Sequence, residues 1–246
     1  TLVAGLFAPY PLLASVNGLS GALQDRFNQL LDEQWDVVQI EHSYSFQPYE
    51  DALARRSQPF VLTEHNVESA LGAATYDRLP RWALPFIRYD QWRYARWERR
   101  VMRQAAQVVA VTDSDAKTLE KIAGKPVPVV VNGVDCDHFA GAHPDPSTRR
   151  VLFLGNYEYA PNVDAIEWAL DEILPKVWVR CPDARMSVCG FGMPDSWRER
   201  WKDPRIEWQG FVPNLLNLQS SCSVFLAPLR HGGGSKLKVL EALAAG

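Results

Sequence analysis

The chain has 246 residues, 47% of them hydrophobic and 22% charged, which is typical of a globular protein with a sizeable core. Its formal net charge of −3 excludes the overall basic surface of a nucleic-acid-binding protein. The four cysteines (136, 181, 189 and 222) lack the spacing of a metal site, so we expect reduced, mostly buried thiols in a cytoplasmic protein. No apolar run reaches the length of a membrane span, about eighteen residues.

The first half of the chain alternates between helical and strand-like patterns. Apolar periodicity predicts helices over 17–34, 48–56, 81–106 and 115–122, with Pro85 marking a break or start and Asp113 or Ser114 as a cap. Short apolar runs predict strands over 36–40, 60–63, 108–111 and 127–131. The pattern is that of an α/β domain with a largely parallel sheet.

A polar, turn-rich segment over 140–149 is the obvious linker. After it the alternation restarts, with strands predicted over 151–154, 185–189, 205–208 and 224–227 and helices over 162–179 and 214–219. We therefore expect two α/β domains, residues 1–145 and 146–246. Ligands of such sheets bind beyond the carboxyl ends of the strands, where the pattern places His42, His65, Asn132, Gly155, Gly190, Gly210 and Gly232.

The last stretch carries the strongest chemical signal. A buried strand ends before Pro228, three glycines make a turn, and a helix capped by Ser235 presents Leu237, Leu240, Leu243 and Ala244 on one face. Lysines in the first turn of a helix are unfavourable unless an anion is also bound there. Glycines and helix N–H groups bind phosphate well, so this turn predicts a phosphate site; the alternative is a solvated loop.

The ordered motifs of the chain resemble glycosyltransferase family 4, whose members have the GT-B fold. The matching segments are 63–69 (TEHNVES), 130–135 (VVNGVD) with Phe139, 151–155 (VLFLG) with Pro161 and Asn162, 190–192 (GFG), 208–212 (WQGFV), 228–234 (PLRHGGG) and 240–246 (LEALAAG). The resemblance implies two Rossmann-like domains with parallel sheets facing a cleft. It also implies a sequence truncated at both ends, with both domains incomplete.

By the pattern of that family, the chain would transfer a sugar from a nucleotide-diphosphate sugar with retention of configuration and without a catalytic metal or other cofactor. His65 would be the catalytic residue, near the transferred sugar. The C-terminal domain would hold a UDP- or GDP-type donor. Its binding residues would be Gly155, Gly190, Gly210, Phe211, Val212, Arg230, Gly233, Gly234, Ser235, Lys236, Lys238 and Glu241. The resemblance also implies a glycan or lipid-linked acceptor and a role in polysaccharide or glycolipid synthesis.

Two positions depart from that pattern. Gly233 stands where the family often has a glutamate that contacts the donor sugar, and Asn156 stands where many members carry a basic residue. The first departure keeps open a second hypothesis, a catalytically silent nucleotide-sugar-binding paralogue that supports a partner transferase. A sugar-nucleotide epimerase is a weaker third, because the sequence offers no clear pair of acidic residues for proton abstraction.

The predicted helix over 78–103 holds eight arginines together with Trp82, Trp92 and Trp97. A basic, tryptophan-rich helix can lie on an anionic membrane surface, which would place the protein at the inner face of a membrane. Its arginines show no single polar face by sequence, however. The favoured interpretation is therefore a solvated helix edge with the tryptophans packed inward.

Overall fold

The computed structural model describes residues 10–15, 20–70 and 81–246. The predicted start of the first helix at 17–19, and Arg78, lie outside these residues. The chain forms two compact units, the first comprising 1–131 with 233–235 and the second 132–232 with 236–246. No helix in the described ranges is long and apolar enough to cross a membrane.

The first unit is built on a parallel sheet in the order β1-β2-β3. The strands are β1 (Val38–Glu41), β2 (Phe60–Glu64) and β3 (Gln107–Ala110). The helices are α1 (Leu12–Ser15), α2 (Gly21–Leu31), α3 (Glu50–Arg56), α4 (Leu84–Gln104) and α5 (Asp113–Ala123), with short 3-10 turns at Ser43–Ser45 and Arg81–Ala83. Its core is one cluster in which Leu62, Met102, Val108 and Leu119 are fully buried.

Two details of this unit differ from the sequence-based expectation. The cap of α5 is Thr112, whose hydroxyl accepts from the Asp115 N–H, rather than Asp113 or Ser114. The strand expected over 127–131 is reduced to one bridge between Ala110 and Val129. Prolines at 126 and 128 explain the loss, because they have no N–H to donate to a ladder.

Helix α4 also corrects an expectation about the arginine- and tryptophan-rich segment. Pro85 lies in its first turn, as a helix start requires. Trp97 is buried as expected, but Trp82 and Trp92 are 76% and 56% exposed, so the tryptophans do not all pack inward. Five of the arginines lie exposed along the side of the helix opposite its buried residues, namely Arg88, Arg96, Arg99, Arg100 and Arg103.

The second unit is built on a parallel sheet in the order β6-β5-β4-β7. The strands are β4 (Arg150–Leu154), β5 (Arg185–Cys189), β6 (Ile206–Gly210) and β7 (Val224–Phe225). The helices are α6 (Cys136–Phe139), α7 (Ala160–Trp168), α8 (Leu174–Arg180), α9 (Ser196–Arg200), α10 (Leu215–Ser220) and α11 (Leu237–Ala245). A π-turn at Ala169–Ile173 joins α7 to α8 where Pro175 lacks the N–H of a regular helix.

The end of the chain is less buried than its apolar pattern predicts. Strand β7 has two residues rather than four and lies at the edge of its sheet, with Val224 exposed. Helix α11 begins at Leu237, with Lys236 rather than Ser235 at the N-cap position and no capping side chain there. Leu243, on its expected inner face, is 74% exposed. All four cysteines are free, but only Cys189 and Cys222 are buried, whereas Cys136 and Cys181 are exposed.

A buried polar cluster lies in the first unit at the end of β2. The Glu64 carboxylate is fully buried and accepts the Ser43 N–H at 2.9 Å through Oε1, while Oε2 has no partner among the described residues. Tyr94 shares a hydrogen bond of 2.9 Å with the Ser43 hydroxyl, and the buried Glu98 accepts from the Ser69 N–H. Burial, with the nearby charge of Glu98, raises the pKa of Glu64 well above its ordinary value.

This pKa shift predicts that Glu64→Gln stabilises the first unit at neutral and alkaline pH. Because the folded pKa lies above the unfolded one, the native carboxyl costs free energy once the pH rises above about 4.5. We expect the free energy of unfolding to rise by about 1–2 kcal/mol at pH 8, with no gain at pH 4. Hydrogen exchange of the β1–β3 amides, corrected for intrinsic rates, measures it. The exposed Glu33→Gln is the control, and an equal gain at both pH values would refute the explanation.

Candidate functional site

In the first unit, the parallel register of β1 and β2 brings a histidine–carboxylate pair together. Glu41 is the last residue of β1 and pairs with Thr63, two residues before His65. The Nε2 atom of His65 lies 2.7 Å from Oε2 of Glu41, a hydrogen-bonded distance. A carboxylate on one ring nitrogen fixes the orientation of the ring and assigns the proton to that nitrogen.

A second histidine extends this pair. The ring of His42 lies 4.6 Å from that of His65 and stacks on Tyr44 at the same distance. Its Nδ1 is buried, 3.4 Å from Oε1 of Glu68 without hydrogen-bond geometry, so that contact is an ion pair only when His42 is protonated. The result is a compact group of two imidazoles and two carboxylates beyond the carboxyl ends of β1 and β2.

In the second unit, the structure brings together three of the predicted glycines at the carboxyl edge of the sheet. The Gly155 N–H donates to the Cys189 carbonyl at 3.1 Å, and the Gly190 N–H donates to the Gly210 carbonyl at 2.7 Å. A Cβ on Gly190 would lie 1.7 Å from the Gly155 carbonyl oxygen, and its φ of 137° already excludes most side chains. The edge is therefore backbone without side chains, which is the surface a phosphate or ribose can approach closely.

Lys238 places its ammonium at the same edge. Its Nζ donates to the Leu154 carbonyl, at the last residue of β4, at 2.9 Å and to Oδ1 of Asn162 at 2.7 Å. It also lies 5.0 Å from the centre of the Phe153 ring. Burial and then the neighbouring charge of Lys236 lower the pKa of Lys238 to about 8. The second unit therefore holds a partly desolvated cation beside a glycine-lined strand edge.

The other predicted cations of this unit make contacts of their own. Arg230 pairs with Asp164 through two hydrogen bonds, at 2.5 and 3.1 Å, and lies over the Trp168 ring. That pair lowers the pKa of the Asp164 carboxyl. The Lys236 Nζ donates to the Gly232 carbonyl at 3.2 Å. An anion would have to share Arg230 with Asp164, whereas the described hydrogen-bond partners of Lys238 are neutral oxygens.

The remaining predicted residues are less closely grouped. Phe211 is exposed just after β6, while Val212 packs against the cluster of Leu152, Cys189, Leu218 and Cys222. Glu241 is half-buried in α11. The segment 233–235 belongs to the first unit, where the Gly234 N–H donates to Oδ2 of Asp115 at 3.2 Å. Among the described residues there is no group of three or more His, Cys, Asp or Glu side chains that could hold a metal ion.

Sequence reasoning did not identify the partner of His65. The sequence places His42 at a strand end, with Glu41 directly before it. The signal that could have identified the pair was the register, because parallel strands 38–41 and 60–64 end side by side. The bonds from Lys238 to β4 had no comparable signal. They join residues 84 and 76 positions apart, and only the tertiary structure brings these residues together.

Comparison with known families identifies the class. The model described as Glycosyltransferase Family 4 matches residues 3–138, more than half of the chain, and the one described as Glycosyl transferases group 1 matches residues 148–246. The chain therefore belongs to glycosyltransferase family 4. It is 30% identical over 147 residues to the phosphatidyl-myo-inositol mannosyltransferase of Mycobacterium tuberculosis, a match covering 56% of this chain and 38% of that relative. The chain thus matches well under half the length of that relative.

Solved structures give the fold. The chain resembles the Anabaena protein HepE, solved in complex with UDP and glucose, with a TM-score of 0.61 at 15% identity over 96% of this chain and 63% of that one. It also resembles the sucrose-phosphate synthase of Thermosynechococcus elongatus, with a TM-score of 0.63 at 14% identity over 98% of this chain and 61% of that one. The two α/β units with parallel sheets have the GT-B fold, as the sequence predicted.

Proposed function

We propose that the protein is a retaining glycosyltransferase that moves a sugar from a nucleotide-diphosphate sugar to a glycan or lipid-linked acceptor. The observation that carries this proposal is the Lys238 ammonium held at the end of β4, on a sheet edge made of Gly155, Gly190 and Gly210. Departure of a nucleoside diphosphate develops negative charge on its phosphate oxygens. A fixed cation and backbone N–H groups stabilise such charge, so the second unit is suited to the donor.

In this proposal the first unit supplies His65, with Glu41 as a positioning residue. The bond from Nε2 of His65 to Glu41 keeps the ring in one tautomer and one orientation. A neutral imidazole so held can accept one hydrogen bond through Nδ1 from a sugar hydroxyl. The mannosyltransferase relative acts on a phosphatidyl-inositol according to its name, which supports a lipid-linked acceptor and a place at the inner face of a membrane. No observation on the described residues favours the silent-paralogue alternative.

The donor site is tested by calorimetric titration of the chain with UDP and GDP. UDP is the first nucleotide to try, because HepE was solved with it. We expect one of the two to bind, and Lys238→Gln to weaken that binding about 10- to 100-fold, the range for a lost hydrogen bond to a charged group. Glutamine keeps much of the packing while removing the charge.

The matched control for this titration is Lys176→Gln, an exposed lysine on α8 that makes the same change of charge. It should leave the affinity unchanged. If neither nucleotide binds, or if both variants weaken binding equally, the assignment of Lys238 to the donor site is wrong. Circular dichroism of each variant confirms that the second unit is folded.

A further inference from the structure

The outer side of α4 is a strongly basic surface. Arg88, Arg96, Arg99, Arg100 and Arg103 are all exposed there. The two acidic residues of the helix, Asp90 and Glu98, are both fully buried on its opposite side. Five cations thus share one face of a 21-residue helix without an exposed acid on that helix, although the whole chain has a net charge of −3.

Most of these cations have no acidic partner among the described residues. Arg100 pairs with Glu50 at 2.9 Å and lies over the Trp97 ring. Arg88, Arg96, Arg99 and Arg103 make no ion pair with any residue that the structure describes. A salt-bridged structural helix would show acids at i±3 or i±4, and none of these four arginines has one at those positions.

Aromatic and apolar side chains occupy the same side. Trp82, Leu84, Tyr89 and Trp92 are exposed, mainly toward the N-terminal end of the helix, while most of the arginines follow toward its C-terminal end. Arg96 lies over the Trp92 ring at 5.1 Å. An open groove of about 820 Å³ runs beside them, lined by Tyr10, Trp92, Trp97 and the arginines at 93, 96, 99, 100 and 103.

We propose that this α4 face binds the surface of an anionic phospholipid bilayer. Tryptophan, tyrosine and leucine side chains partition into the boundary between headgroups and acyl chains, and arginines pair with lipid phosphates. The arginines at 96, 99, 100 and 103 line the open groove, where lipid headgroups can reach them. A single-stranded nucleic acid would use stacking rings distributed among the cations along the strand. The exposed Trp82, in the turn before α4, and Leu84, its first residue, instead precede the row of exposed arginines, which favours insertion at an interface.

The proposal goes beyond the donor site and is tested without any nucleotide or sugar. The chain is sedimented with vesicles of phosphatidylcholine alone and of phosphatidylcholine with 30% phosphatidylglycerol. We expect binding to the anionic vesicles only, weakening as salt increases. The double variant Arg96→Gln/Arg103→Gln should weaken it about 20- to 30-fold, taking about 1 kcal/mol for each arginine. Trp92→Gln should weaken binding at high salt as well, because its contribution is not electrostatic.

The matched control is Arg55→Gln/Arg180→Gln, which removes two exposed arginines elsewhere and should bind the anionic vesicles like the unmodified chain. Equal loss in both double variants would show attraction by overall charge and would overturn the proposal. So would an absence of binding to anionic vesicles, or α4-dependent binding of a single-stranded oligonucleotide in place of vesicles. These outcomes are distinct from failure of the donor site, which the nucleotide titration reports.

Discussion

Gly190→Ala is expected to destabilise the second unit by about 3–5 kcal/mol, the largest effect of any single substitution considered for this chain. The added Cβ would lie 1.7 Å from the Gly155 carbonyl oxygen and 2.8 Å from its carbon. Both partners are backbone, so the contact is relieved only by separating β4 from β5 at the carboxyl edge. The φ of 137° adds strain that alanine cannot relax in place. Hydrogen exchange of the β4 and β5 amides measures the loss.

Gly210→Ala is the matched control for that clash. Gly210 ends the neighbouring strand with a φ of 69°, but a Cβ there would meet nothing within 4 Å. The control should therefore lower the free energy of unfolding only by the strain of the left-handed conformation, about 1–2 kcal/mol. The difference in lost stability between the two variants isolates the contribution of the close approach of Gly155 and Gly190. If both variants lost the same stability, the edge would be held by backbone conformation alone and its tight packing would be irrelevant.

The strands and most helices were predictable because their signals are local. Buried apolar runs such as 185–189, and glycines directly after them, identify parallel strands and their carboxyl ends without knowledge of the partners. The same reasoning failed over 127–131, where Pro128 within the run and Pro126 just before it lack the N–H groups that a ladder needs. It also overestimated the burial of β7 and α11, where Val224, Leu237 and Leu243 are exposed.

The chemistry of the candidate site was only partly predictable for a different reason. Residue type and position at a strand end identified His65, Gly155 and Gly190. What these groups do depends on contacts between residues far apart in sequence, such as Glu41 with His65 and Lys238 with Leu154. Sequence patterns report which face a residue lies on, whereas the protonation state of Lys238 depends on how deeply the packed structure desolvates it.

That desolvation predicts a distinctive pH dependence for nucleotide binding. In the unliganded protein the Lys238 pKa is about 8, lowered from 10.5 first by burial and then by Lys236. A diphosphate beside the ammonium favours its charged form and so raises the pKa again. By linkage, binding must then take up protons at pH values above about 8. Below that range Lys238 is already charged in both states, so the affinity should change little.

We therefore expect the association constant for UDP or GDP to be flat from pH 7 to 7.5 and to fall by up to about tenfold per unit between pH 8.5 and 9.5. The diphosphate itself is fully ionised over this range, because its last pKa is about 6. Titrations in two buffers with different ionisation enthalpies measure the proton uptake directly. Lys238→Gln should bind more weakly and lose both the slope and the uptake, whereas Lys176→Gln should retain them. A slope that survives in Lys238→Gln would show that another group titrates, because the glutamine side chain has no titratable group.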